Sequence, residues 1–203
     1  MDIYTTLDLF TGYGGFQLGL RLAYPDVRFQ TVAYVEIEEY AQRVIRARID
    51  DGHLDDAAIW DDVKSFDGRE WRGLVDIVMA GFPCQPHSVA GLRKTAKGIT
   101  DDRDLWGDTC RIISEVRPRA VILENVPGIL VPGDGRPPYA GRVCGDLAAL
   151  SFDIRADVVS AASAGAPHKR NRWWCLGLAH ADGKRYRGRG CPERGTGERL
   201  VQP

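Results

Sequence analysis

The sequence has 203 residues, of which 44% are apolar, and a formal net charge of −1, so it can build one sizeable α/β domain with a substantial core. No apolar run approaches the roughly 18 residues of a membrane span, and the first three residues lack the basic flank of a signal peptide. A cytoplasmic protein is therefore expected. The five cysteines are widely spaced without a C-x-x-C pair, which favours reduced thiols over a disulfide framework or a metal site.

Charge is distributed unevenly along the chain. Residues 165–203 carry nine Lys or Arg against three acids, a net charge of +6, so the preceding residues carry −7. Such a basic end is typical either of a protein with a polyanionic partner or of a solvated tail, and charge alone does not decide between them. Beyond residue 180 the sequence has five glycines and almost nothing apolar. We expect a domain over residues 1–180 and a disordered Gly/Arg-rich tail over residues 181–203.

A glycine-rich turn follows the first predicted strand. Residues 5–10 predict the strand, and residues 11–15, with the sequence Thr-Gly-Tyr-Gly-Gly, predict a tight turn into a helix. Glycines there let backbone N–H groups approach a ligand, and the start of a helix favours a carboxylate or phosphate. The dinucleotide fingerprint G-x-G-x-x-G would require glycine where the sequence has Gln17, which argues against an NAD-dependent oxidoreductase.

A carboxylate ends the second predicted strand, residues 29–36, before a predicted helix over residues 38–49. Glu36 lies about twenty residues beyond the glycine turn, where a strand-end carboxylate can accept hydrogen bonds from both hydroxyls of a ribose. The adjacent Ile37 can lie against an adenine face. A short apolar and acidic stretch, residues 59–63, is within reach of the same ligand.

A buried strand opens abruptly into a loop that carries Cys84. The apolar run 75–80 is followed by Gly-Phe-Pro-Cys-Gln-Pro-His-Ser at positions 81–88, and the two prolines remove backbone donors and fix the cysteine at the carboxyl edge of the sheet. Most free cysteines are small buried apolar residues, but this context favours a nucleophile. The polar stretch 89–102 that follows predicts a mobile lid.

Another predicted strand, residues 120–125, ends in Glu124 and Asn125 at the same edge as Cys84. Glu124 is either a surface residue at the start of a loop or a desolvated acid with a raised pKa, and the residues alone leave both alternatives open.

Arg170 and Arg172 precede or begin the last predicted strand, and alternation places them on one face. The remaining predicted elements are two helices and a pair of strands: residues 104–116, 139–150, 152–160 and 172–179.

Four motifs in this order carry a resemblance to a known family. They are Asp-Leu-Phe-x-Gly-x-Gly-Gly at 8–15, Pro-Cys-Gln at 83–85, Glu-Asn-Val at 124–126 and His-Lys-Arg-Asn-Arg at 168–172. Together they resemble the DNA (cytosine-5) methyltransferases, and the resemblance covers roughly residues 5–179. It implies a class I methyltransferase fold, an α/β Rossmann-like doubly wound sheet with a final antiparallel strand. It also implies S-adenosylmethionine as the cofactor and DNA, with a flipped cytosine, as the substrate.

The resemblance assigns cofactor contacts to positions on several strand ends. It implies that the methionine end meets the glycine turn, that the ribose meets Glu36, and that the adenine lies between apolar and acidic side chains. The implied contacts are Phe10, Gly12, Gly14, Gly15, Glu36, Ile37, Asp62 and Val63, with Phe82 and Leu105 near by.

The resemblance also assigns the chemistry. It implies that Cys84 adds to C6 of cytosine and makes C5 nucleophilic, and that Glu124 donates a proton or hydrogen bond at N3. Arg172 would contact O2 with support from Arg170, and Asn125 would order the loop. Since C6 is inaccessible in a stacked duplex, the base must leave the helix.

Three departures from the family pattern stand out. His87 lies where an aromatic residue is frequent and His168 where Gln is frequent, and neither weakens the resemblance. The family's target-recognition domain and closing segment have no counterpart in the sequence. We therefore expect a partial or split enzyme of restriction-modification type, with a second polypeptide as the candidate carrier of recognition.

Other functions stay open at this point. An RNA cytosine-5 methyltransferase or an inactive S-adenosylmethionine-binding remnant fits the same motifs. A Cys–His hydrolase using Cys84 with His87 or His168 is the alternative from another reaction class. It leaves the glycine turn, Glu36 and the Glu124-Asn125 pair unexplained.

Overall fold

Strands and helices alternate along the chain in the computed structural model, which describes residues 2–83, 104–132 and 137–180. The strands are β1 (Ile3–Leu9), β2 (Arg28–Val35), β3 (Ala58–Trp60), β4 (Ile77–Ala80), β5 (Ala120–Asn125), β6 (Phe152–Ser160) and β7 (Asn171–Ala179). The α-helices of the described residues are α1 (Gly15–Ala23), α2 (Glu39–Asp50), α3 (Trp106–Val116) and α4 (Tyr139–Ala149). Short 3-10 turns cover Gly68–Trp71, Pro127–Leu130 and Ala161–Ala164.

All strands join one sheet in the order β3-β2-β1-β4-β5-β7-β6. Neighbours among β1 to β5 are parallel, whereas β7 lies antiparallel between β5 and β6. This confirms the predicted doubly wound sheet with a final antiparallel strand. The chain adds β2 and β3 on one side of β1 and then β4 and β5 on the other side. In open α/β sheets, ligands bind at the carboxyl ends of the strands beside such a switch in strand order.

Helices cover both faces because apolar side chains alternate along the strands. Leu7 and Leu9 of β1 are fully buried in the main core cluster, which also contains the apolar faces of α3 and α4. Met79 of β4 belongs to the opposite face, where Phe16 and Leu20 of α1 pack. The side chains of α2 cover the β2–β3 end of that second face. The parallel strands are therefore buried on both sides.

The local sequence accounts for α3, the helix that precedes β5. The apolar positions of α3 are Trp106, Ile112, Ile113 and Val116, which recur at helical spacing and are buried. The helix ends where Arg117 adopts the left-handed conformation, with φ of 53°, before Pro118. The β-branched run that follows then forms β5 and carries Glu124 to the ligand edge.

The predicted boundaries agree with the structure to within two residues for each described helix and strand that was predicted. Strand β3 was not predicted, because three residues paired with residues 33–35 of β2 are too short for a periodic pattern. The predicted lid at 89–102 and the Gly/Arg-rich tail at 181–203 lie outside the described residues. Within the described part of the chain, no helix is long and apolar enough to cross a membrane.

Candidate active site

The turn after β1 is a strained loop that opens onto the ligand edge of the sheet. Phe10 has a φ of 57°, in the left-handed region that non-glycine residues rarely adopt, and Gly12 and Gly14 also have positive φ. The position of Gly14 favours glycine for two reasons: its φ is positive, and a Cβ there would lie 2.6 Å from Leu54 Cδ2. A Cβ at Gly12 or Gly15 would meet nothing within 4 Å. These two positions therefore leave backbone open to solvent and to a ligand.

Glu36 ties this loop to the end of β2. Its Oε2 accepts a hydrogen bond from the Gly12 N–H at 2.7 Å, and its Oε1 accepts one from the Glu38 N–H at 2.9 Å. The residue is only 8% exposed, so its position is fixed. A carboxylate has about four lone-pair sites, and two remain for a ligand hydroxyl.

The residues assigned to an adenine differ in accessibility. Ile37 is 64% exposed beside Glu36, an open position for a large apolar side chain. Val63 and Phe82 are buried in the main core, and Leu105 packs against that core at the start of α3. Asp62 is half-buried and accepts a hydrogen bond from the Lys64 N–H at 2.9 Å. Of this set, Ile37 alone presents a large exposed apolar side chain.

A cavity of about 720 Å³ joins the glycine loop to the ends of β5 and β7. It brings together three residues of the predicted cofactor loop and three of the predicted catalytic set: Phe10, Gly12, Gly15, Glu124, Arg170 and Arg172. The described lining does not include the predicted adenine contacts or Asn125.

Glu124 and Arg172 form an ion pair on adjacent strands. Arg172 Nε lies 2.7 Å from Glu124 Oε1, and the two side chains are 23% and 26% exposed. Burial raises the pKa of Glu124, although Arg172 and Arg170 both act in the opposite direction. The structure thus gives Glu124 the environment of a desolvated acid rather than of a surface residue. Arg170 reaches the same cavity from a left-handed backbone conformation, with φ of 31°.

Asn125 lies below the cavity and connects β5 to the segment before Cys84. It is 3% exposed, its Nδ2 donates to the Phe82 carbonyl at 3.0 Å, and its Oδ1 accepts from the Val126 N–H at 2.8 Å. These bonds fix the chain two residues before the predicted nucleophile. Cys84 itself and His87 lie outside the described residues.

Several cavity residues were not identified from the sequence. Phe16 and Trp174 were not among the predicted site residues, yet both line the cavity with Thr11 and Gly81. For Trp174 a signal existed, because it stands two residues after Arg172 and strand alternation puts both side chains on one face. No comparable pattern marks Phe16.

Asp8 of β1 is a buried acid beneath the glycine loop. It is 0% exposed, and neither carboxylate oxygen has a hydrogen-bond partner among the described residues. Burial, followed by the charge of Glu36, raises its pKa well above the usual value. The neutral form of Asp8 is therefore favoured. The described residues contain no cluster of three or more His, Cys, Asp or Glu side chains that could hold a metal ion.

The curated relatives of this chain are methyltransferases. The type II methyltransferase M.NgoMIV of Neisseria gonorrhoeae is 33% identical over 169 residues, which cover 83% of this chain and 50% of that protein. The type II methyltransferase M.NlaX of Neisseria lactamica is 32% identical over 181 residues, 89% of this chain and 54% of that protein. The chain spans about half the length of the curated relatives it matches.

The fold and the family model agree with these relatives. The crystal structure of the S. pombe Dnmt2 methyltransferase matches with a TM-score of 0.65 and 20% identity, over 87% of this chain and 51% of that one, which supports the fold. The family model described as C-5 cytosine-specific DNA methylase matches residues 4–194, nearly the whole sequence. This chain therefore belongs to the C-5 cytosine-specific DNA methylase family.

Proposed function

We propose that residues 1–180 form the catalytic domain of an enzyme that transfers a methyl group from S-adenosylmethionine to C5 of cytosine in DNA. The observation that carries the proposal is that the open glycine loop and the Glu124–Arg172 ion pair line the same cavity. One end of that cavity suits a cofactor, and the other presents an acid and two cations to a planar base.

The cofactor end fits S-adenosylmethionine in the chemistry of its donors. On the cavity wall, Gly12 and Gly15 leave backbone open. Outside the cavity lining, Glu36, bonded to the Gly12 N–H, has free lone pairs for ribose hydroxyls, and the adjacent Ile37 offers an exposed apolar surface for adenine. Phe10 lies on the cavity wall at the start of the same loop. When bound, S-adenosylmethionine supplies an electrophilic methyl group on a sulfonium centre.

The residues of this chain supply activation of the base. C5 of cytosine is a poor nucleophile, but addition of the Cys84 thiolate at C6 pushes electrons toward C5. Glu124, whose pKa is raised by burial, donates a proton or hydrogen bond at N3 in this proposal and relieves the charge that addition places on the ring. Once C5 carries the methyl group, water takes the C5 proton, the electrons of that C–H bond form the C5–C6 double bond and expel the Cys84 thiolate, and N3 returns any proton it gained to Glu124.

Two arginines complete the base site in this proposal. Arg172 forms an ion pair with Glu124 through its Nε, and we assign it the hydrogen bond to O2 of cytosine. Arg170 adds positive charge on the same cavity wall. Asn125 acts indirectly and does not contact the base, because its hydrogen bond to the Phe82 carbonyl fixes the segment that leads to Cys84.

DNA is the proposed substrate because of the family and because of charge. The Gly/Arg-rich residues 181–203 can add salt-sensitive, sequence-independent affinity for phosphates. Recognition of a defined sequence needs side chains that contact base edges in the grooves. We assign that role to the part of the relatives' length that this chain does not match, or to a partner polypeptide.

Calorimetric titration with S-adenosylmethionine tests the cofactor, and covalent trapping tests the base chemistry. DNA that contains 5-fluorocytosine should form a denaturation-resistant complex with the wild-type protein, supplied with a recognition polypeptide if trapping requires one. Cys84→Ser should abolish the complex. Binding of NAD in place of S-adenosylmethionine, or trapping by Cys84→Ser, would refute the proposal.

A further inference from the structure

Phe16 and Trp174 form an aromatic pair on the wall of the cavity. Phe16 comes from the first turn of α1 and Trp174 from the middle of β7, and their rings meet edge to face with centroids 5.8 Å apart and planes at 84°. This is a favoured arrangement for two aromatic rings. The pair joins the glycine-loop helix to the last strand at the height of the cavity, which both residues line.

The same pair stands against Glu124. Trp174 lies directly opposite Glu124 in the β5–β7 register, a position in which side chains are in contact range. A Cβ built on Gly81 would lie 3.7 Å from Phe16 Cε2 and 3.8 Å from Glu124 Oε2, so both side chains border the same space above Gly81. Glu124 thus has aromatic rings on one side and Arg172 on another.

These neighbours act on the carboxyl group in opposite directions. Arg172, at 2.7 Å, and Arg170 favour the charged carboxylate. Burial favours the neutral acid and outweighs both. Gly81 contributes no side chain here, and the rings of Phe16 and Trp174 present apolar atoms that displace water from this side.

We propose that Phe16 and Trp174 are positioning residues for Glu124: together they form an aromatic wall that keeps water from one side of its carboxyl group and holds it toward the cavity. The catalytic meaning of this wall rests on the proposed function, since it would keep the acid able to donate to a base. The wall itself is a property of the free protein.

The test is a titration of Glu124 in the full chain without cofactor or DNA. Glutamate side chains are labelled with ¹³C at the carboxyl carbon, and the Glu124 resonance is assigned by its loss in Glu124→Gln. In Trp174→Ala the midpoint of this resonance should move to lower pH, because water enters and the two arginines then dominate. Trp174→Phe keeps a ring and should keep the midpoint near that of the wild type.

A matched control comes from elsewhere in the chain. Trp60 meets Phe66 in the same edge-to-face manner, with centroids 5.9 Å apart and planes at 89°, and it is 45% exposed compared with 38% for Trp174. Trp60→Ala should leave the Glu124 midpoint unchanged. An equal shift in Trp60→Ala would mean a global effect and would overturn the proposal.

If near-ultraviolet circular dichroism shows that Trp174→Ala is folded, the Glu124 midpoint in that variant is the deciding measurement. If Trp174→Ala is not folded, the Glu124 midpoint in Phe16→Ala is the deciding measurement. An unchanged Glu124 midpoint in the deciding variant would overturn the aromatic wall. The result is independent of the proposed function. A chain that fails to bind S-adenosylmethionine could still show the shift, and a methyltransferase could still lack it.

Discussion

Glu36 and Gly12 are joined by a 2.7 Å hydrogen bond between a carboxylate oxygen and a backbone N–H. The bond connects the end of β2 to the glycine loop after β1. The glycine loop and Glu36 therefore form one connected unit, and a ligand that contacts either of them contacts this unit. Substitution of Glu36 should therefore affect both the ribose contact and the shape of the loop.

The first prediction concerns cofactor affinity. Glu36→Ala should weaken S-adenosylmethionine binding by about 1.5–3 kcal/mol, the range for hydrogen bonds to a charged group. The matched control is Glu39→Ala, which removes an exposed carboxylate three residues away whose ion pair with Arg43 spans 3.8 Å. Calorimetry should show little change in that control. Equal losses in both variants would point to net charge rather than to the Glu36 contacts.

The second prediction concerns the conformation of the glycine loop. Gly14→Ala should lower the free energy of unfolding by about 1–3 kcal/mol, because φ at this position is 79° and the added Cβ would clash with Leu54. Gly19→Ala, in the interior of α1 with open space around it, should instead stabilise the protein by roughly 0.5–1 kcal/mol. Urea denaturation of the two variants measures both effects. Stabilisation by Gly14→Ala would show that the loop is not held as described.

The third prediction concerns Asn125. Asn125→Ala leaves the buried Phe82 carbonyl without its partner and should destabilise the protein by about 1–3 kcal/mol. It should also slow covalent trapping by Cys84, since the preceding segment loses its anchor. Asn171→Ala removes an exposed asparagine and is the control for stability. A stable Asn125→Ala variant with unchanged trapping would remove Asn125 from the proposed mechanism.

The fourth prediction is a pH dependence that originates in Asp8. Its pKa is raised in the folded protein by burial and by Glu36. Above the unfolded value of about 3.9, the folded state therefore binds more protons than the unfolded state, and stability falls as pH rises toward the folded pKa. Asp8→Asn removes this loss.

Denaturation curves at a series of pH values test the effect of Asp8. The difference in unfolding free energy between Asp8→Asn and the wild type should grow in favour of the variant from about pH 4 to neutrality. Glu124 also has a raised pKa and contributes with the same sign in both proteins, so it cancels in the difference. A constant difference across this range would show that Asp8 titrates normally.

The fifth prediction separates binding from chemistry. Glu124→Gln should retain affinity for S-adenosylmethionine, because Glu124 lies beyond the loop residues assigned to the cofactor. It should slow methyl transfer by at least ~10²-fold, the scale for loss of a positioned acid. The assay measures labelled methyl groups in mixed-sequence duplex DNA, with a recognition polypeptide added if the wild type requires one. An unchanged rate would exclude Glu124 as the acid.

Much of the sheet could be predicted because its strands are β-branched apolar runs closed by Gly, Pro or a carboxylate. Strand β5 is an example, with the predicted and observed limits both at residues 120 and 125. The place of β7 between β5 and β6 could not be derived from periodicity, since alternation reports which residues share a face and not which strands are neighbours. The family resemblance implied a final antiparallel strand, which the structure confirms, but it did not say which strands that strand pairs with.

Individual side chains of the site show a similar division. The sequence placed Glu124 at the ligand edge but could not choose between a surface acid and a desolvated one, because that depends on packing from α1 and β7. The Glu36–Gly12 bond and the Asp8 carboxyl group, which has no hydrogen-bond partner among the described residues, also depend on three-dimensional packing. The roles assigned to Cys84, Arg170 and Arg172 remain predictions.

The position of β7 between β5 and β6 has a consequence for how the site assembles during folding. The β6–β7 hairpin is local in sequence, whereas its docking on β5 brings together distant parts of the chain and carries a larger entropic cost of loop closure. Until that docking occurs, β5 is an edge strand with unpaired backbone groups, and Glu124 has no counter-ion from Arg172. The pairing of β7 with β5 and the assembly of the acid–arginine pair are therefore one event, and the ionisation of Glu124 reports directly on that event.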